Sequence, residues 1–302
     1  MQPLCNAAAA LGRPWRIADS RYGPDISTLG RGKMSYLELP DGVPLYYEDH
    51  GSGPAVLLIH GWTMNSTFWA QNVDALSESN RVITVDLRGH GLSGKTDDGH
   101  TLSQYARDVR SLLQHLRLND VCLVGWSMGT AVILSYVQQF GCDLLRSAAF
   151  VDQSPRFLDG EGWDFPLLGG YSTTDLAVFA QGVRHARPSV IKPFIAACFA
   201  ETPPDEVIDA VYAETTQTAT SAALSIWYDM AYADLRPVLP AVTVPTLLMY
   251  GARSRIFPGD LDEWLAAQLP NAQVARFDNS GHAPFSEEPK AFNDTLGAFL
   301  RS

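Results

Sequence analysis

Val121-Cys122-Leu123-Val124 leads directly into Gly125-Trp126-Ser127-Met128-Gly129, and Met128 to Gln139 carries helix formers and an apolar stripe that stops at Gly141. A short β-branched run, a serine between glycines and a helical pattern read as strand, turn and helix. The two glycines permit a sharp, strained elbow. Such an elbow lifts the Ser127 hydroxyl out of the sheet and sets its Oγ near the N-terminus of the following helix. Ser127 is therefore the candidate nucleophile.

The same rhythm extends on both sides of the elbow. Tyr36–Leu39 and Leu45–Glu48 read as a hairpin turning at Asp41-Gly42. Ala55–Ile59 and Arg81–Val85 read as buried strands, with a helix over Thr67–Ser79 between them. Thr101–Leu116 is amphipathic, with Thr101 and Gln104 spaced as a capping box. Ser147–Val151 follows the elbow helix. After a break, Thr246–Tyr250 and Gln273–Phe277 resume the strands, with helices over Leu261–Leu269 and Pro289–Leu300. Buried strands alternating with helices predict an α/β fold, a doubly wound and mostly parallel sheet of eight strands.

The break is itself informative. Residues 154–240 show no buried strand, but four helical stretches: Thr173–Arg187, Val190–Phe199, Asp205–Thr218 and Ala222–Ala233. The segment is punctuated by prolines and rich in aromatics, and it reads as a helical cap inserted after the sixth strand. The core then comprises residues 34–153 and 241–302. Residues 1–33, rich in Gly, Pro and Arg, read as a flexible N-terminal extension and lack the basic start and long apolar run of a signal peptide.

With 302 residues, 46% of them hydrophobic, the chain can bury a large core. Its net charge of −11 opposes nucleic acid and anionic membrane as partners. No apolar run approaches the roughly 18 residues of a membrane helix. A small-molecule substrate remains the expected partner. Cys5, Cys122, Cys142 and Cys198 match no metal motif, and the chain reads as a reduced, cytoplasmic protein.

A serine hydroxyl needs an adjacent base, and histidine suits that task near neutral pH. Of seven histidines, His282 lies in Asn279-Ser280-Gly281-His282-Ala283-Pro284, directly after the last strand. Functional groups of doubly wound sheets gather in such loops. His60 and His90 also follow strands, and placement alone does not separate them from His282. His115 lies in an amphipathic helix and His185 in the cap.

Taken together, His60-Gly61-Trp62, Asp86-Leu87-Arg88-Gly89-His90-Gly91, Gly125-Trp126-Ser127-Met128-Gly129 and Ser280-Gly281-His282 resemble the α/β-hydrolase family over roughly residues 36–300. The likeness is greatest to small capped esterases, lactonases and cofactor-free haloperoxidases. It implies Ser127 as nucleophile, His282 as general base, and the backbone N–H groups of Trp62 and Met128 as an oxyanion hole. Dehalogenase and epoxide hydrolase relatives carry Asp at the nucleophile position, where this chain has Ser127. The implied activity is cleavage of an ester or lactone through an acyl-enzyme. A ligand receptor or a cofactor-free lyase or oxygenase of the same fold is the alternative. Trp126, Trp163 and Trp227 are expected to wall the substrate pocket.

The third triad member departs from the pattern. The family's usual acid follows the strand Thr246–Tyr250, but here Gly251-Ala252-Arg253-Ser254 places Ser254 at that position. Asp152, at the end of Ser147–Val151, is the candidate acid, as it is in some lipases, lactonases and dehalogenases. Asp260 is the rival and also reads as a helix N-cap. Asp86 and Arg88 read as structural, a buried charge pair that orders their loop.

Gly89-His90-Gly91-Leu92-Ser93-Gly94-Lys95-Thr96 matches the phosphate-loop pattern and follows a strand. That motif requires a helix to begin at the Lys-Thr, so that its N-terminus faces the phosphates. Here an acidic turn, Asp97-Asp98-Gly99, intervenes. No nucleotide site is expected, and with no ligand cluster or dinucleotide fingerprint, no cofactor or metal either.

Overall fold

The structure, a computed structural model, describes residues 33–302. The N-terminal extension expected over 1–33 thus lies outside the described residues except for Lys33, which opens the first strand. Cys5 also lies outside them.

The chain begins with a hairpin of β1 (Lys33–Glu38) and β2 (Pro44–Gly51), in which Tyr36 faces Tyr46 and Gly42 turns with φ +81°. Next come β3 (Ala55–Ile59), a 3₁₀ turn at Ser66–Trp69, α1 (Ala70–Ser77), β4 (Arg81–Val85) and α2 (Leu102–His115). The elbow joins β5 (Val121–Trp126) to α3 (Met128–Phe140), and β6 (Leu145–Val151) follows. Four helices come next: α4 (Thr173–His185), α5 (Arg187–Ala197), α6 (Asp205–Thr215) and α7 (Thr220–Tyr232). The chain then returns through β7 (Thr246–Gly251), α8 (Leu261–Gln268), β8 (Ala272–Phe277), α9 (Pro284–Glu287) and α10 (Pro289–Leu300). Among the described residues no helix is long and apolar enough to cross a membrane.

The eight strands form one sheet in the order β1-β2-β4-β3-β5-β6-β7-β8. β2 is antiparallel to β1 and β4, and β3 to β8 are all parallel. Every residue of β3, β5 and β7 is buried, as expected of central parallel strands covered on both faces. β3 connects outward to β4 on one side, and the chain returns to pair β5 on the other. The carboxyl ends of β3 and β5 therefore flank the point where strand order reverses, the crevice that ligands use in such sheets. The turn after β3 and the elbow after β5 open onto this crevice.

Two local readings change. The helix expected over Thr67–Ser79 starts as the 3₁₀ turn, capped by Asn65 Oδ1 on the Thr67 N–H at 3.0 Å. The capping box of α2 forms by half. Thr101 Oγ1 accepts from the Gln104 N–H at 3.1 Å, but the Gln104 side chain turns away and donates to Asp108 at 2.9 Å. Asp229 of α7 instead takes the Leu102 N–H at 2.7 Å, which couples the inserted helices to the start of α2.

Cys122, Cys142 and Cys198 are free thiols, and burial pushes the Cys122 thiol up to about 11.

Candidate active site

Ser127 has φ +52° and ψ −119°, a conformation that costs a non-glycine residue roughly 1–3 kcal/mol. The surroundings impose it. The Ser127 N–H donates to Val151 O at 2.9 Å, and Ser127 O accepts from the Thr130 N–H at 2.8 Å. A Cβ at Gly125 would overlap the backbone of Gly129 and Thr130, and one at Gly129 would overlap the Ile59 carbonyl. The glycines are thus required by close approach between β3, β5 and α3, which holds the serine at the crevice.

His282 and Asp152 are brought together across 130 residues of chain. His282 Nδ1 lies 2.9 Å from Asp152 Oδ1, with the His282 ring nearly buried and Asp152 fully so. Adjacent strand ends make this possible, since β6 delivers Asp152 and the loop after β8 delivers His282, with β7 between them. Asp152 has φ +44°. Its Oδ1 also accepts from Ser254 Oγ at 3.0 Å, and its Oδ2 from the Gly251 N–H at 3.3 Å. Three donors hold this carboxylate in place. It directs Nδ1–H of His282 toward itself, which leaves Nε2 as the ring nitrogen able to accept a proton. Asp260 stands elsewhere, half of an exposed pair with Arg276 at 3.1 Å. It precedes α8, but its side chain makes no capping bond there.

The histidine loop is anchored from several sides. The His282 N–H donates to Cys198 O at 2.7 Å, and His282 O accepts from Trp126 Nε1 at 2.8 Å. Glu287 accepts from the N–H groups of Gly281 and Ala200, each at 2.8 Å, and burial holds its carboxyl above the usual range. The chain just beyond α5 is therefore tied to the loop that carries the base.

Met128 is the first residue of α3, and first-turn N–H groups have no intrahelical acceptor. Trp62 lies in the turn after β3, whose backbone is set by Met64 N–H to Gly61 O at 3.2 Å and by Thr63 at φ +57°. His60 fastens this turn, with Nδ1 2.8 Å from Gly61 O and Nε2 accepting the Leu87 N–H at 3.0 Å.

Ser127 and His282 line one small cavity of about 20 Å³ together with Trp62, Phe157, Phe194 and Trp227. That is room for about one water molecule. The walls are apolar and aromatic. Trp227 stacks on Phe179 at 4.7 Å and donates to Tyr171 Oη at 3.0 Å. Trp126 and Trp227 are among the cavity's lining residues. Trp163 is not among its lining residues. Its ring packs on Trp264 of α8 at 5.0 Å and under Arg236 at 5.0 Å, so it fixes the insertion to the outer helices. Phe194 and Cys198 line the cavity without having been singled out for it. Their spacing of four, one helical turn at the end of α5, was the available signal.

The remaining motif residues have structural partners. Arg88 clamps Asp108 at 2.6 and 2.8 Å and Asp41 at 2.7 Å, not Asp86, and these bonds raise its proton affinity. Asp86 instead accepts the N–H groups of Ser66 and Leu92, each at 2.7 Å. The phosphate-loop lookalike is folded onto itself. The Gly89 N–H donates to Gly94 O at 3.0 Å, and Lys95 Nζ to Gly91 O at 2.5 Å. No helix begins until Leu102.

A family model described as alpha/beta hydrolase family matches residues 56–295. The chain is 29% identical over 269 residues to a non-heme chloroperoxidase of Kitasatospora aureofaciens, covering 86% of this chain and 97% of that protein. It is 26% identical over 279 residues to a bifunctional esterase/perhydrolase of Acinetobacter calcoaceticus, covering 89% and 100%. Among solved structures, an esterase from Exiguobacterium antarcticum superimposes with a TM-score of 0.83 at 27% identity, covering 89% of this chain and 99% of that one.

Proposed function

The chain belongs to the alpha/beta hydrolase family, and from that premise we propose that it is a serine hydrolase of small, uncharged, apolar carboxylic esters or lactones. The observation that carries this reading is the buried Asp152–His282 hydrogen bond at 2.9 Å, opening onto the cavity that Ser127 also lines.

In this reading Ser127 Oγ attacks the carbonyl carbon while His282 Nε2 takes its proton. Negative charge moves to the carbonyl oxygen, facing the N–H groups of Met128 and Trp62. One such donor is typically worth about 10²–10³ in rate. The tetrahedral intermediate collapses, the alkoxide leaves with the proton from His282, and the acyl group stays on Ser127. Water then attacks, giving its proton to Nε2, and the acid departs as Ser127 recovers its hydrogen. Asp152 keeps Nδ1 protonated throughout and stabilises the transient imidazolium.

The walls support the choice of substrate. Trp62, Phe157, Phe194 and Trp227 offer no charge to pair with an ionic substrate, and the small volume favours short acyl groups. The test is fluorophosphonate labelling with peptide mapping, followed by p-nitrophenyl esters of increasing chain length. Labelling at Ser127 and a preference for short acyl chains are expected. A folded protein that takes no label at Ser127 would refute the reading.

A further inference from the structure

Ser254 occupies the position where the family pattern calls for an acid, and its side chain is turned onto the acid that stands elsewhere. Its hydroxyl accepts from the Phe257 N–H at 3.3 Å and lies 3.0 Å from Asp152 Oδ1. The Ser254 hydroxyl is the donor in this bond. The Asp152 oxygen it reaches is the same one that receives His282 Nδ1 at 2.9 Å. The other oxygen takes the Gly251 N–H at 3.3 Å, and the Asp152 N–H donates to Met249 O at 3.1 Å. Three restraints on Asp152 therefore come from the end of β7 and the turn after it. They act on a residue at φ +44°, a region that persists only when its surroundings over-determine it.

We infer that Ser254 is a positioning residue for the triad carboxylate. The inference rests on the reading of Asp152 as the triad acid. Its first consequence is electrostatic. The Ser254 proton shares the charge on Oδ1, so removing it turns more of that charge onto His282 and stabilises the imidazolium. The acid limb of the rate profile then moves to higher pH. Its second consequence is geometric. Without Ser254 the carboxylate is less firmly held, and turnover falls with little change in substrate binding.

The experiment compares pH profiles of kcat and kcat/KM on p-nitrophenyl acetate for the wild type, S254A, S254T and D152N. S254A should lose about tenfold or more in kcat, the loss that a hydrogen bond to a charged group carries. Its KM should hold, and the acid limb should move to higher pH. S254T keeps the hydroxyl and should restore both. D152N should lose about 10⁴. S254A with wild-type kcat and pH profile, beside an inactive D152N, overturns the positioning role. So does a loss in S254A with an unmoved profile that S254T fails to repair. If D152N itself stays active, the reading of Asp152 as the acid fails instead, and the two failures are distinguishable.

Discussion

Trp62 Nε1 donates to the carbonyl of Ala223 at 2.8 Å, across 161 residues of chain. This bond joins the turn after β3 to α7. The Trp62 ring meets Trp227 at 4.5 Å and Phe194 at 6.1 Å, and all three residues line the cavity.

Trp62→Phe keeps an aromatic ring and removes the donor. A hydrogen bond of this kind contributes about 1 kcal/mol net, roughly a fivefold change in a local opening equilibrium. Hydrogen exchange over residues 220–232 should accelerate by about that factor, while β5 and β6 remain protected. Unchanged protection in α7 would show that the aromatic stack alone holds the insertion down.

Asp152→Asn should lower kcat by about 10⁴ while Asp260→Asn stays near wild type. The asparagine amide meets donors on either side. With its NH₂ at the Oδ2 position it faces the Gly251 N–H, and at the Oδ1 position it faces His282. The second arrangement turns the imidazole to the tautomer that carries its proton on Nε2, which cannot act as a base. Asp260 ties only to exposed Arg276, where exposed pairs are worth little. Steady-state kinetics on a short ester, with circular dichroism to check folding, decides between them.

The contrast between these two aspartates shows what the sequence could and could not disclose. The elbow was legible because steric demand restricts residue types locally: Gly125 and Gly129 have no room for a Cβ. His282 was legible from its place after the last strand. Asp152 was reached through Ser254, whose hydroxyl cannot balance an imidazolium. That their side chains touch depends on β6 and β7 being neighbours, a relation between distant segments. The position of β4 outside β3 left no local trace, since both strands are apolar and buried on both faces. Trp163 was misplaced for a similar reason. Its apolar character announces burial, but the partner, Trp264, lies about a hundred residues on, in α8. Cys198 holds the base loop through its backbone carbonyl, which no side-chain pattern reports.

Stability should fall as pH drops below histidine's ordinary value of 6.5, because burial holds His60 below it and His90 well below it. Asp86 acts on His60 in the opposite sense, and Lys95 lowers both. As pH falls, the unfolded chain takes up protons that the folded state refuses, so unfolding becomes more favourable. The stabilising contribution is complete above 6.5 and is lost between 6.5 and the depressed folded values. Each histidine adds a slope of up to about 1.4 kcal/mol per pH unit in that window. Urea titrations between pH 7.5 and 5.5 on the wild type and His90→Asn should differ in slope by about one such contribution. Parallel pH dependences would mean that His90 is protonated in the folded protein.

Gly129→Ala should destabilise the fold and abolish activity together, whereas Gly141→Ala should spare activity. Gly129 lies in the first turn of α3 and Gly141 just beyond its end, and their constraints differ. A Cβ at Gly129 would overlap the Ile59 carbonyl oxygen and lie 3.1 Å from His60 O, so β3 and the turn carrying Trp62 must move. Overpacking of this sort costs about 1–3 kcal/mol, and here the strain falls on the groups facing Ser127. A Cβ at Gly141 would meet nothing within 4 Å. Its penalty is its backbone, at φ +62° and ψ −154°, a region essentially restricted to glycine and worth about 1–3 kcal/mol for an L-residue. The two variants should therefore melt at comparably lowered temperatures yet separate sharply in kcat measured well below melting. If Gly129→Ala keeps its kcat, the elbow tolerates displacement from β3, and the close packing of these backbones does not set the position of Ser127.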